Sequence, residues 1–215
     1  MKQNYNPKVY DKKRLSKITN IFNNEIKKNI LSSWQKFLPG MAVWIHDHGL
    51  DAALNVENYR TSKFKHINNY EKKKWLPHYQ GVTKCPGCSN DCIKIYSHDN
   101  KKLDKRSCGI HQQITGSLGP NIGTKKPEEV LFFNHLVNQY GLDPVSHGFV
   151  LSFAMELYEK KIITKKDTGG LDLSFGNFNS AVEMTLNILN RKNIGNLLAE
   201  GSQRAAKKIG RKSIK

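Results

Sequence analysis

The 215-residue chain carries 35 Lys and Arg against 18 Asp and Glu, a formal charge of +17, and is 38% apolar. That length can bury the core of one large or two small domains, which excludes a peptide or a fold held by metal alone. No run approaches the roughly eighteen uncharged apolar residues of a membrane helix, and the start MKQNYNPKVYDKKR lacks a signal peptide's apolar segment, so the expectation is a folded cytoplasmic protein with no membrane partner. The charge would attract nucleic acid, acidic proteins or anionic ligands without choosing among them. Spread as Lys along the whole chain, it reads first as a solvated surface.

In chain order, Leu15, Ile18, Ile21, Phe22 and Ile26 fall near one face of a helix over 12–29. Residues 31–54 hold two short apolar stretches broken at Pro39-Gly40, and a second short helix is expected there. Between 55 and 83 the composition turns to Asn, Lys, Tyr and His with little periodicity, which predicts an irregular arm whose aromatics dock locally. A cysteine-rich segment, 84–108, then carries CPGCSNDC and a short strand or hairpin around Ile93–Ile95. Pro127, with Glu128 and Glu129 behind it, opens a helix whose Val130, Phe133 and Val137 share a face and which stops at Gly141. A core helix follows over 145–161, with Val150, Phe153, Ala154 and Leu157 at helical spacing. Residues 167–177 are turn-rich, Ser180 and Glu183 match a capping box for the next helix, and a last helix is expected over 194–209. The whole is mainly α, a helical domain preceded by a Cys-rich metal loop. It divides into a helical and irregular segment 1–83 that packs on the rest, a metal-loop and helical domain 84–210, which the resemblance given below makes iron-sulfur, and a basic tail 211–215.

Cys85, Cys88 and Cys92 form C-x2-C-x3-C. Three thiols this close in a reducing compartment suit metal better than disulfides. A [4Fe-4S] cluster and a zinc ion both accept such a set, and His98 and Cys108 are candidate fourth ligands within the chain. Pro86-Gly87 permits the tight bend the loop requires. His46 and His48, two apart, point away from each other on a helix, so a solvated polar turn is the favoured reading. His135 and His147 lie among apolar helix residues and read as hydrogen-bonded core histidines. SLGPNIG, residues 117–123, could bring backbone close to an anion, but lacks the Lys-Ser/Thr pair of a phosphate loop. Asn138, Gly141, Leu142 and Asp143 end one helix and begin another; they either grip a polar heterocycle or form an ordinary Gly stop and Asp turn.

Taken in order, CPGCSNDC, SLGPNIG, NHLVNQYGLDPVSHG, LSFAMELYEKKIITKKDTGGLDLSFGN and IGNLLAEGSQRAAKKIG resemble the middle section of the aldehyde:ferredoxin oxidoreductase family. The likeness runs over 84–210 and more faintly over 7–59. It implies a tungsten, or sometimes molybdenum, bis-pterin enzyme that oxidises an aldehyde to a carboxylic acid and passes electrons through a [4Fe-4S] cluster to ferredoxin. By resemblance, Cys85, Cys88 and Cys92 are three cluster ligands. The family's Asp-x-x-Gly-Leu-Asp pterin motif falls on Asn138, Gly141, Leu142 and Asp143, with an amide in place of the first carboxylate.

The sequence also departs from the family. Gly109-Ile110-His111-Gln112-Gln113 stands where the family has an acidic stretch that supplies a carboxylate near the metal, and Phe132 stands where a Glu would pair with His135 at an intersubunit iron. His111 could take an acid/base role in that place. No catalytic residue is assigned. The resemblance implies one domain of three, so the chain is expected to be a separately encoded subunit whose pterin-cradling and C-terminal domains lie on a partner, a divergent relative with a reduced role, or the product of a broken reading frame. The expected function is therefore electron relay between a tungstopterin held by that partner and an acidic ferredoxin, with isolated-chain activity not expected. The alternative is a zinc-bound basic nucleic-acid-binding module, disfavoured because Arg is scarce and no aromatic-basic platform stands out.

Overall fold

The computed structural model describes residues 8–38, 40–98, 106–210 and 213, with backbone alone for 106–108. Asp11 caps α1 (Lys12–Lys28) by accepting from the Arg14 N–H at 2.9 Å, and Lys27 and Lys28 sit at its negative end. Asn29 closes α1 and opens α2 (Ile30–Lys36), its side chain accepting from the Leu31 and Ser32 N–H groups. The apolar stripe forms as its spacing predicts, yet neither α1 nor α2 has a buried residue, and Phe22 is 62% exposed. The α1 stripe is thus left bare, whereas α2 meets the rest of the chain through Trp34, edge-on to Trp44 with ring centroids 6.1 Å apart.

Gly40, at φ +100, separates α2 from a 3-10 turn (Met41–Val43) and α3 (Trp44–Leu50), so 31–54 holds two short helices rather than one. The stretch 55–83 is more ordered than its composition suggests. It contains the Val56–Thr61 bridge, α4 (Lys72–Trp75) and β1 (Tyr79–Thr83). Its aromatics join the core: Phe64, Tyr70 and Trp75 are buried and run edge-on or tilted into Tyr96, with ring centroids 5.8, 6.2 and 5.8 Å apart. The Trp75 indole N–H donates to the Tyr70 carbonyl, and the Tyr70 hydroxyl donates to the Thr124 carbonyl, so the rings are buried without orphaned polar groups.

β1, β2 (Ile93–Ser97) and β3 (Arg106–Cys108) form an antiparallel sheet in that order. β2 alternates, with Lys94 and Tyr96 buried. The helical half follows as α5 (Gln112–Leu118), α6 (Pro127–Gln139), α7 (Pro144–Glu159), α8 (Phe178–Leu189), α9 (Gly195–Leu198) and α10 (Ser202–Ile209). Two details differ from expectation. Asn177, not Ser180, caps α8 by accepting from the Ser180 N–H at 3.3 Å, and the helix expected over 194–209 is broken at Gly201, φ +87. The tail 211–215, apart from Ser213, lies outside the described residues.

One apolar cluster reaches from Ala42 through Tyr96 to Ala205, across the boundary expected at residue 83. Within it α7 approaches α5 closely: a Cβ on Gly148 would lie 2.6 Å from the Ser117 carbonyl oxygen. No helix among the described residues is long and apolar enough to cross a membrane.

Candidate functional site

The cysteines occupy the connection between β1 and β2. The pair Thr83–Ile93 closes its neck, so Cys85 and Cys92 leave adjacent strand ends. Inside the loop the Cys88 N–H donates to the Cys85 carbonyl at 3.1 Å across Pro86 and Gly87, the latter at φ +76. This is a type II turn, and it brings Cys88 back over Cys85. The Asn90 N–H donates to Cys88 Sγ at 3.4 Å. Cys85 is exposed while Cys88 and Cys92 are half-buried. Burial pushes the Cys92 thiol up, and the Cys88 and Cys85 sulfurs push it further.

Among the described residues no three His, Cys, Asp or Glu side chains gather tightly enough for a single metal ion. A tetrahedral zinc with Zn–S bonds near 2.3 Å would need its thiolates about 3.8 Å apart. A cluster gives each thiolate its own iron and spaces them more widely. The donor chemistry, the closed neck and the N–H aimed at sulfur fit a cluster. His98 lies at the far end of β2, buried, with its ring 5.8 Å from Phe132 and 5.2 Å from His135, so it does not join the cysteines. The Cys108 backbone pairs with Ile95, and its side chain lies outside the described residues.

The loop is fastened to α2. Asn90 Nδ2 donates to Gln35 Oε1 at 2.6 Å, and the Lys94 ammonium donates to the carbonyls of Asp91 at 2.7 Å and Lys36 at 3.1 Å. Beside this contact an open cleft of about 780 Å³ is lined by Trp34, Phe37, Trp44, His46, His48 and Lys72. His46 and His48 take different partners there. The first lies 3.4 Å from its neighbour Asp47, and the second has Nδ1 2.7 Å from the Gln112 amide. His111, next to Gln112, is half-buried and held below the ordinary imidazole value by desolvation.

The α6–α7 corner carries Asn138, Gly141, Leu142 and Asp143. Gly141, φ +70, turns the chain while the Leu142 N–H returns to the Val137 carbonyl at 2.9 Å. Asp143 caps α7 by accepting from the Ser146 N–H at 2.6 Å, and that bond holds its carboxyl below the usual range. Asn138 donates to Asn134 Oδ1 at 3.2 Å. Asn138, Gly141 and Asp143 are exposed, and nothing lies within 4 Å of where a Gly141 Cβ would be, so the corner faces open space. SLGPNIG is buried throughout and is a core segment, not an anion loop. Phe132 packs edge-on against Phe178 and His98.

Sequence reasoning missed the turn at Glu57, Asn58 and Tyr59, three consecutive non-glycine residues at φ +48, +56 and +63. Each such residue costs roughly 1–2 kcal/mol, and only firm anchoring holds three together. The anchors are present. The Glu57 N–H donates to the Pro120 carbonyl, and Asn58 donates to Glu156 and accepts from Ser152. Tyr59 stacks on Phe149 with ring planes 4° apart. The only local hint was Asn58, a residue type that tolerates this conformation.

Residues 17–215 match the family model for aldehyde ferredoxin oxidoreductase, domains 2 and 3. The chain belongs to that family. An aliphatic sulfonate oxidoreductase WOR-like subunit of Pyrococcus furiosus is 30% identical over 94% of this chain and 32% of its own length. A tungsten-containing aldehyde ferredoxin oxidoreductase of Pyrococcus horikoshii is 30% identical over 77% of this chain and 27% of its length, and one from Thermococcus kodakarensis is 29% identical over 80% and 28%. The family member described here thus spans about a third of the length of the curated relatives it matches. The same fold recurs in the active-site complex BamBC of benzoyl coenzyme A reductase, solved with 1,5-dienoyl-CoA, at a TM-score of 0.70 and 20% identity over 93% of this chain and 31% of that one.

Proposed function

We propose that the chain is the iron-sulfur portion of an aldehyde ferredoxin oxidoreductase-like tungstopterin assembly, and that it relays electrons in the cytoplasm. What supports this reading is the single hairpin loop, closed at Thr83–Ile93 and turned at Pro86-Gly87, that carries Cys85, Cys88 and Cys92 within a chain of this family. When bound, the cluster takes and passes single electrons, and a tungsten bis-pterin supplies the oxidation of an aldehyde to a carboxylic acid. The chain's own residues do the holding. The three thiolates grip the cluster, the Asn90 N–H polarises the Cys88 sulfur, and the open corner of Asn138, Gly141, Leu142 and Asp143 contacts the pterin edge. Asn138 contributes a neutral bond there, about half the strength of a charge-assisted one. The fourth ligand is Cys108 or a thiolate from another polypeptide.

The reading also assigns an occupant to the bare α1–α2 face. Leu15, Ile18, Phe22 and Leu31 are exposed on α1 and α2, and the family match, from residue 17, takes in most of α1 and all of α2. The relatives have about twice as much further chain in which such a face can be covered. The occupant is accordingly a polypeptide equivalent to that remainder, apolar at its centre and acidic at its rim to meet Lys12, Lys13, Lys17, Lys27 and Lys28. An acidic ferredoxin suits the net charge of +17 as electron acceptor.

Cluster reconstitution of single variants tests the assignment. Cys85→Ala, Cys88→Ala and Cys92→Ala are each expected to lose the broad absorption of iron-thiolate charge transfer while the fold persists. A variant of any of the three that keeps an unchanged spectrum contradicts it, and Cys108→Ala decides whether the fourth thiolate is internal.

A further inference from the structure

The most unusual side chain near the cysteine loop is Lys94. It is 1% exposed, although lysine is almost never fully buried without a charged partner. Among the described residues its ammonium has only backbone carbonyls as acceptors, those of Asp91 and Lys36, and forms no ion pair with a carboxylate. The charged groups around it are the Cys92 thiol and Asp91 on its own hairpin and Lys36 on α2. The stem lies in a groove left open by a glycine: a Cβ on Gly40 would come within 2.5 Å of Lys94 Cγ and 3.2 Å of Cε. A methionine would fill such a groove without the several kcal/mol that desolvating an ammonium typically costs. Packing therefore does not account for the charge.

We propose that Lys94 is a positioning residue for the iron-sulfur site: its buried ammonium, held on the Asp91 carbonyl next to Cys92 and on the Lys36 carbonyl, fixes the loop ahead of Cys92 onto α2 and sets a positive charge on the Cys92 side of the loop, raising the reduction potential of the bound cluster. The inference rests on the cluster reading of the loop. Its physical basis is direct. Each thiolate brings negative charge, reduction adds one more, and a nearby cation in a partly dry site stabilises the more negative state by more. The second tether, Asn90 to Gln35, keeps the loop in register but brings no charge, so the two functions separate by substitution.

The test uses the full chain, reconstituted anaerobically with ferrous iron and sulfide, in wild type, Lys94→Met, Lys94→Gln and Lys94→Arg. Met fills the groove without charge or donor, Gln keeps a donor without charge, and Arg keeps the charge. Redox titration is expected to show about a tenfold lower ratio of reduced to oxidised cluster at fixed potential in the Met and Gln variants, about 59 mV more negative for a one-electron couple. Arg stays near wild type. Hydrogen exchange of the 90–93 amides in the cluster-free chain is expected to quicken in Met and less in Gln. If Met and Gln take up the cluster with the wild-type potential, the inference is overturned, whatever the exchange shows. If wild type takes up no cluster, it is the reading of the loop itself that fails.

Discussion

The Ser152 hydroxyl on α7 donates to Asn58 Oδ1 at 3.0 Å, joining positions 94 residues apart in the chain. Asn121 Nδ2 donates to the same Ser152 oxygen at 2.9 Å, so the left-handed turn at 57–59, the buried SLGPNIG segment and α7 meet at one polar knot. Loss of a buried bond that leaves its partner unsatisfied costs about 1–3 kcal/mol. Asn58→Gly removes the side-chain bonds but suits the backbone, whereas Asn58→Ala adds the strain of a left-handed alanine. Urea unfolding is expected to show both variants weakened and Ala below Gly by about 1 kcal/mol. Equal stabilities would mean that the turn relaxes.

Gly148 makes a second, purely steric prediction. In an exposed helix, Gly→Ala stabilises by about 1 kcal/mol. Here the new methyl would meet the Ser117 carbonyl at 2.6 Å and its Cβ at 2.9 Å, so α7 must move off α5. Gly148→Ala is expected to destabilise by about 1–3 kcal/mol, a change of sign readable from the melting temperature.

His147 sets a pH dependence. The Thr185 hydroxyl donates to the Ala181 carbonyl at 2.9 Å, so it can only accept from His147 Nε2, also at 2.9 Å, and the imidazole is neutral with its proton on Nε2. Burial pushes its pKa down from 6.5 to about 4. Between those values the unfolded chain binds a proton that the folded chain refuses, so stability falls as pH drops from 6.5 towards 4. By the lower end this group's share is on the order of 3 kcal/mol. Above pH 6.5 both states are neutral and it adds no slope. Replacing the imidazole, His147→Gln, should flatten the stability profile between pH 4 and 6.5; an unaltered slope would show that His147 is protonated in place.

The bare stripe on α1 predicts indifference. Ile18→Ser and Phe22→Ser are expected to change the unfolding free energy of the chain alone by less than about 0.5 kcal/mol, as for other exposed positions. Phe133→Ala in the core is expected to cost about 3–5 kcal/mol. A large loss from either α1 substitution would place that face against this chain's own core or against a second copy of it.

Much of the helical half was legible because its signals are local. Pro127 with its two glutamates, Gly141, and Asp143 ahead of Pro144 mark ends through capping chemistry, and Val130, Phe133 and Val137 mark a buried face. The turn inside the cysteine loop was legible for the same reason, because Pro86-Gly87 dictates it. What depended on distant partners was hidden. β1 and β3 are short strands whose pairing with β2 leaves no period in the sequence, and the Phe64, Tyr70, Trp75 and Tyr96 rings come together only through tertiary packing. Lys94 reads as one more surface cation until Gly40 and Lys36 close over it. The stripe on α1 was read correctly as amphipathic, yet periodicity states only that a face seeks cover, not which chain supplies it.

Iron, zinc and acid-labile sulfide counted per chain after anaerobic purification test the central claim most directly. The account predicts brown protein that binds about four irons and four sulfides and no stoichiometric zinc. Colourless protein with one zinc per chain and no sulfide would contradict it.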